Sequence, residues 1–464
     1  MESLPNELLI QIAAHLDTAP PSIEKFAHEP SPQLTYSAQT PLKELSQVSW
    51  RWRKVVLPLL FQYSRIELHC SPQWISIDAR LLEDMQCQLT TLSDHEMQIY
   101  TKMRSKLKSS FTSAFDEAFD DLLVNLCQIQ EGDDFLKSVL NTLRLPHVPT
   151  SFTNFTRFVS QNNLKHHTKS LVIFTDQEYE LRHVSSADTL LARAVAEIWS
   201  NIFDHFEPAR LVVAAPPATL AGLLDVQMLS SDAWAFEMNM HYVELLQEDS
   251  ITVTHSRTSQ CRPWDTALIH RRPWTHLGYN EGPSIAAYST YEYHLKQSPK
   301  ILFLILVRLS KEVQSCCNIR SFSFTGIFPL STNVLSIVRA VHMIKTLRKI
   351  QYQLAPGPEN DLMSSPKRMG RAQPHDLWLE WTESYKDITN FLDYNDEDGS
   401  EFISLDCGQT GLVKEVDELM NALIASGSGW RKEGVGRWIR DCSLDEELTG
   451  KYEITPFPGD FLIV

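Results

Sequence analysis

The chain has 464 residues, 43% of them hydrophobic and 22% charged, a composition that fits a globular protein with a large core and about two or three domains. Its formal net charge of −16 argues against a dominant role in nucleic-acid binding, because phosphate contacts need a basic footprint. The longest apolar run, Ile301 to Val307, is far too short to span a bilayer, and residues 1–16 lack the basic n-region of a signal peptide.

The eight cysteines sit singly apart from Cys316-Cys317. None forms a Cys-x-x-Cys pair or has a His partner at zinc spacing, so reduced core thiols are expected, in the cytoplasm or nucleus.

The first predicted element is a helix opening at Pro5. Leu8, Leu9, Ile12 and Leu16 repeat with the 3.6-residue period of one apolar stripe. Pro5 suits a first helical turn, and Glu7 lies near the positive end of the helix dipole. Residues 17–40 follow, with Pro20-Pro21, Pro30 and Pro32 and few apolar side chains, which reads as a surface loop. A second helix opens at Thr40-Pro41, an N-cap followed by Pro at the first helical position. Leu42, Leu45, Val48 and Trp52 then recur in steps of three and four, and Val55, Val56, Leu59 and Leu60 carry the apolar face further. A unit of this size makes a marginal core. Its surplus apolar surface is expected to meet the rest of the chain or a partner.

The order Leu4-Pro5-x-Glu7-Leu8-Leu9, then Leu42-x-x-Leu45-x-x-Val48-Ser49-x-x-Trp52-Arg53, covers residues 3 to about 61 and resembles the F-box. F-boxes are helical modules that dock substrate receptors onto the Skp adaptor of cullin–RING ubiquitin ligases. The resemblance implies that Leu4, Pro5, Leu8, Leu9, Ile12, Leu42, Leu45 and Val48 face the adaptor. It also implies that Leu16 and Trp52 belong to the module's own core. The partners it implies are a Skp-family adaptor, cullin through that adaptor, and a protein substrate, with no nucleic acid, membrane or cofactor. The family joins its two halves by a few residues, so the insertion at 17–40 is a departure. Loop length costs little entropy, and docking is expected to survive it.

Residues 63–163 form the next region, mainly helical in pattern. Ile77, Leu81, Leu82, Met85, Leu89 and Leu92 make one stripe, and Phe111, Phe115, Phe119, Leu122 and Leu123 another. The charges flanking the second stripe, Lys102 to Lys108 and Asp116 to Asp121, read as a solvated helix face. From about residue 164 short β-branched segments appear at 170–174, 210–214, 251–253, 320–324 and 349–352. Helical stretches lie between them, at 190–206, 301–313 and 334–347. That alternation implies α/β units with parallel strands.

Ile319-x-x-Phe322-x-Phe324 and Leu347-x-x-Ile350-x-Tyr352 lie 28 residues apart, within the leucine-rich-repeat range. The strands at Leu171, Leu211 and Ile251 lie 40 apart, beyond it. Both a leucine-rich-repeat-like solenoid and an irregular α/β domain fit, and the texture is similar to that of fungal F-box proteins. Pro356 to Pro374 reads as a disordered loop. A helix follows at Val413–Ala425, stopped by Gly427 and Gly429, and a strand is expected at 461–464. The expected fold class is α plus α/β, with an F-box at 1–62, a helical connecting region at 63–163 and a recognition domain at 164–464.

The acidic run Asp393 to Gly399 fails the calcium-loop frame, because its Gly comes one residue late and the twelfth position is Ser404. Gly427, Gly429, Gly434 and Gly436 follow a helix rather than a strand and have no phosphate-loop spacing. Trp430, Arg431, Arg437 and Trp438 leave two readings open. One is a patch for a peptide or phosphate-bearing partner; the other is a capping segment with both Trp packed inward. No Gly-x-Ser-x-Gly elbow or His-Glu-x-x-His helix occurs. No catalytic, cofactor or metal residue is therefore assigned, and the chain is expected to be a non-catalytic ligase subunit. A non-ligase scaffold, or a cryptic enzyme in the C-terminal domain, are the alternatives.

Overall fold

A computed structural model describes residues 4–36, 40–72, 94, 98, 144–178, 187–226, 240–248, 268–311, 317–358, 360–393 and 398–441. The protein is mixed α/β. It divides into two compact units, the first comprising Met1–Thr275 with Tyr279–Glu281 and Pro299–Ile301, the second the remainder. Both sequence-derived boundaries, after residues 62 and 163, fall inside the first unit.

The first unit begins with α1 (Asn6–His15), α2 (Pro21–Glu24), α3 (Pro41–Val48) and α4 (Trp50–Leu60). Then come β1 (Tyr63–Glu67), β2 (His69–Pro72), β3 (Arg144–His147), α5 (Ser151–Gln161), β4 (Ser170–Phe174), α6 (Ala187–His205), β5 (Arg210–Ala215), α7 (Pro217–Leu223) and β6 (His241–Leu246). The next strand, β7 (His276–Pro283), contributes its residues 279–281. β1, β4 and β5 are parallel neighbours, with Arg65 opposite Val172 and Val172 opposite Val212. β6 runs antiparallel to β5. β2 and β3 form a separate antiparallel ribbon.

β4 is buried along its whole length, and β5 from its second residue onward. That is the pattern of strands apolar on both faces. Side chains alternate, so Leu171, Ile173, Leu211 and Val213 share one face and Val172, Phe174, Val212 and Ala214 the other. The second face is covered by the segment between α1 and α3. Phe26 and Leu34 pack there with Val172, Phe174, Val212, Ala214, Met240 and Tyr242. The expectation of a plain surface loop at 17–40 is thus corrected. Two apolar residues suffice to anchor a segment whose prolines already restrict its backbone.

One further expectation changes in this unit, and two lie outside the described residues. The connecting region opens on the strands β1 and β2 and carries β3 before its helix α5, β1 forming because Tyr63–Glu67 and Ser170–Phe174 pair side by side. Its two predicted helical stripes, at 77–92 and 111–123, lie outside the described residues. So does the predicted strand at 251–253, while β6 forms upstream of it. The other strands and helices named from the sequence here form close to their predicted limits. α6 carries its buried Val195, Ile198, Trp199 and Ile202 at helical spacing, with buried Phe206 just past its end, and the indole N–H of Trp199 donates to the Leu223 carbonyl at 3.1 Å.

The second unit contains α8 (Ile301–Ser310) from its second residue, β8 (Ser321–Ile327), α9 (Ser331–His342), β9 (Lys349–Gln353), α10 (Pro366–Met369) and α11 (Pro374–Asp393). β10 (Glu401–Ser404), α12 (Leu412–Ala425), β11 (Trp430–Gly434) and β12 (Arg437–Arg440) follow. β8, β9 and β10 are parallel neighbours. β12 lies antiparallel to β10, and β11 antiparallel to β12. Gly436 closes the β11–β12 hairpin at φ +66°, where an added Cβ would collide with the Ser404 carbonyl oxygen. The predicted terminal strand at 461–464 lies outside the described residues.

The segment from Pro356 to Pro374 is ordered in its described residues, which corrects its reading as a disordered loop. It holds a 3-10 turn at Leu362–Ser364 and the short α10, and it buries Leu362, Met369 and Ala372. Those three side chains are few in composition but all point inward, which an average over the segment conceals.

Asp406 is the polar centre of this unit. Its carboxylate accepts from the backbone N–H groups of Leu354 and Ala355, each at 3.1 Å or less, from the Trp381 indole at 2.9 Å and from the Tyr385 hydroxyl at 2.8 Å. Burial pushes its carboxyl up from the usual value, and these donors pull it part of the way back. Trp381 and Tyr385 lie one helical turn apart on α11, so one acid joins that helix to the residues following β9. Asp406→Ala would leave four buried donors without their acceptor and is expected to cost about 3 kcal/mol or more. Urea unfolding followed by circular dichroism measures it, and a loss within about 0.5 kcal/mol would show the donors find other partners.

Candidate functional site

The helices α1, α3 and α4 close a small core of Leu9, Ala13, Leu42, Trp52, Val55 and Val56, with Leu4, Leu45, Leu59 and Leu60 packed against it. Thr40 and Pro41 occupy the N-cap and first helical position of α3 as the sequence indicates, although the Thr40 hydroxyl donates to Glu44 at 3.2 Å rather than capping the backbone. The second helical run is broken. Ser49 is extended (φ −158°, ψ 163°), and its hydroxyl accepts from the Trp52 N–H at 3.2 Å, which starts α4 as a new helix. Arg51 fastens the start of α4 to the start of α1. Its Nε and Nη2 each lie 3.2 Å from Asn6 Oδ1, and Nη2 also donates to the Leu4 carbonyl.

This packing leaves several large apolar side chains in water. Leu8, Ile12 and Leu16 are each at least 40% exposed, and Ile10 is similar. Their spacing of four residues puts the first three along one side of α1. At the break between α3 and α4, Val48 is 67% and Trp50 84% exposed. Large apolar groups at this density within one small module mark an interaction surface more often than chance placement does.

The sequence-derived assignments divide accordingly. Pro5, Leu8, Ile12 and Val48, expected to face a partner, are exposed; Leu4 and Leu45 are partly buried. Leu9 and Leu42, expected on the same face, are core residues and are corrected. Leu9 and Ala13 form the inward stripe of α1, about 100° around the helix from Leu8 and Ile12. Leu16, expected in the core, is corrected the other way, since it continues the outward stripe and sits at the C-cap. Trp52 is in the core as expected. Pro5 is the N-cap residue rather than part of the first turn. Trp50 and Ile10 were missed; the signal for Trp50 is Ser49, whose capping role resets the helical register by restarting the helix.

The C-terminal aromatic and basic residues do not form a ligand patch. Trp430 and Trp438 are buried, the first donating to the Leu392 carbonyl at 3.2 Å and the second stacked on Phe402 at 5.5 Å. Alternation along the hairpin turns Arg431 and Arg437 to the opposite side. Arg437 pairs with Glu401 at 2.5 Å and Glu433 at 3.3 Å, and Arg431 lies 3.7 Å from Asp441. The inward-packed reading holds.

Two buried titratable groups have their protonation state set by burial. His241 Nδ1 lies 2.7 Å from the Tyr279 hydroxyl, and burial pushes the imidazole down to about 3, so it is neutral at ordinary pH. Burial pushes the Cys407 thiol up to about 11, which keeps it in the unreactive protonated form. Among the described residues no group of three or more His, Cys, Asp and Glu is placed to hold a metal ion, and no helix is long and apolar enough to cross a membrane.

No family model, no curated protein and no solved structure matches the chain.

Two measurements test this description. Trp52→Ala is expected to cost about 3–5 kcal/mol through the cavity it opens, whereas Trp50→Ala should fall within about 0.5 kcal/mol; equal losses in thermal unfolding would mean the helical break is misplaced. For His241, the unfolded chain takes up a proton near the ordinary imidazole value of 6.5 while the folded state resists until about 3. Its stabilising contribution is therefore complete above pH 6.5 and falls by about 1.4 kcal/mol per pH unit below it. The stability gap between wild type and His241→Gln should shrink from pH 6.5 to pH 4.5 in urea titrations; a constant gap would mean the imidazole is charged in the fold.

Proposed function

We propose that this chain is the substrate-recognition subunit of a cullin–RING ubiquitin ligase. Its N-terminal helices dock on a Skp-family adaptor, and the α/β remainder holds a protein substrate. The observation that carries this reading is the outward stripe of Leu8, Ile12 and Leu16, with Val48 and Trp50 also exposed, on a module whose core is already filled by Leu9, Ala13, Leu42, Trp52, Val55 and Val56. Apolar side chains in excess of what the core needs fit a module that completes itself against another protein. In such a complex the chain supplies no nucleophile; it raises the effective concentration of a substrate lysine near the charged conjugating enzyme. The expected location is cytoplasmic or nuclear, where that machinery acts.

The remainder is best read as an irregular recognition domain. The parallel runs β1-β4-β5 and β8-β9-β10 are what a leucine-rich-repeat-like stack would supply, and antiparallel β6 and β12 end both runs. The second functional reading is a scaffold that binds the adaptor without recruiting cullin, and co-purification of cullin through the adaptor separates the two.

Leu8→Asp combined with Ile12→Asp places two carboxylates in the docking face at a cost of several kcal/mol, so binding to purified Skp adaptor should fall at least about 100-fold. Because both positions are exposed, the circular dichroism spectrum and melting temperature should stay close to wild type. Equal adaptor binding by the double variant, or none by the wild type, would sink the assignment.

A further inference from the structure

The segment that separates α1 from α3 is held far more firmly than a connection needs to be. Its course over 17–36 is fixed by one apolar contact and by hydrogen bonds to three polar side chains of the sheet. Phe26 and Leu34 enter the face formed by Val172, Phe174, Val212 and Tyr242, with the Phe26 and Tyr242 rings 6.0 Å apart. Arg210 on β5 donates from Nη2 to the Ser22 carbonyl at 2.8 Å while Nε pairs with Glu244 on β6. Tyr242 on β6 donates to the Ser31 carbonyl at 2.8 Å and accepts from the Ser31 N–H at 2.5 Å. Asn280 on β7, fully buried, donates from Nδ2 to the carbonyls of Phe26 at 2.6 Å and His28 at 2.7 Å.

All three sheet residues address backbone carbonyls of the segment. A side chain that reads only the backbone fixes the path of the chain, because the partner cannot rotate away as a side chain would. A half-buried arginine and a buried asparagine are costly unless such partners are held in place. The sheet is therefore complete only with the segment on it. The two ends of the segment are the C-terminus of α1 and the N-terminus of α3, and α4 leads directly into β1, where the Gln62 carbonyl accepts from the N–H groups of Lys169 and Ser170 at 2.9 and 2.8 Å.

We propose that residues 17–36 are a positioning strap. By seating its backbone on Arg210, Tyr242 and Asn280, the strap fixes the helices α1 and α3 in one orientation on the sheet of the first unit. The functional consequence, a docking face presented at a set angle, rests on the adaptor-docking reading above; the strap itself does not. A flexible linker of the same length would let α1 and α3 pivot on α4 alone.

The test uses the full-length chain and two readouts. Hydrogen exchange should protect amides within 20–36 in the wild type and, in Phe26→Ala with Leu34→Ala, release them at least about tenfold while β4 and β5 keep their protection. Spin labels on non-canonical residues at positions 7 and 197, both exposed, report the orientation of α1 against α6. One narrow distance distribution is expected for the wild type and a broadened one for the double variant. Should that variant fail to fold, Tyr242→Phe with Asn280→Ala removes four of the polar contacts while keeping the apolar ones, and broadening is again expected. Exchange of 20–36 at unstructured rates in the wild type, or a distribution that stays narrow once 20–36 is released, would overturn the strap. Adaptor affinity is measured alongside and should change less than about threefold in the variants, since Leu8, Ile12 and Trp50 are untouched. Absence of adaptor binding by every form would end the docking reading and leave the exchange and distance results to decide the strap.

Discussion

A strand that is apolar on both faces cannot leave either face in water, and β4 and β5 impose that constraint on the first unit. Val172, Phe174, Val212 and Ala214 need a cover, and the chain supplies it from residues 26 and 34, between α2 and α3. Covering a sheet with an irregular segment raises a second problem, because such a segment carries backbone carbonyls that have no ladder to join. Arg210, Tyr242 and Asn280 resolve it by donating to those carbonyls from the sheet side. The bonding of three polar side chains and the ordering of a proline-rich segment are two aspects of one arrangement.

The helical module obeys the opposite logic. Its core is small, and once Leu9, Ala13, Leu42, Trp52, Val55 and Val56 have met, nothing in the module can take up Leu8, Ile12, Val48 or Trp50. The extended backbone at Ser49 sharpens the division. It caps α4, turns Trp52 inward and leaves Trp50 outside. Two residues apart in sequence, these tryptophans have opposite environments: one is buried in the module's core and the other is exposed.

The second unit relies on a single buried acid in the way the first relies on its strap. Asp406 collects two backbone donors, an indole and a phenol, and thereby sets α11 against the residues that follow β9. Every bond this carboxylate makes is to a group with a structural place. The same holds for His241, whose burial keeps it neutral and bonded to Tyr279.

The sequence by itself determined the helical module, the strands at 170–174, 210–214, 320–324 and 349–352, and the parallel pairing among their neighbours. Those features depend on local periodicity and on β-branched runs, which act within a few residues. The inward packing of Trp430 and Trp438 was also within reach, because bulky aromatics flanked by exposed charges alternate along a hairpin. The division of α1 into an inward stripe at Leu9 and Ala13 and an outward one at Leu8, Ile12 and Leu16 was not, since both stripes are apolar enough to be either. Nor was the docking of Phe26 and Leu34, or the order of Leu362, Met369 and Ala372 between Pro356 and Pro374. Each of these depends on contacts between residues many positions apart, and a handful of apolar side chains in a polar segment acquires meaning only when a matching surface folds against it.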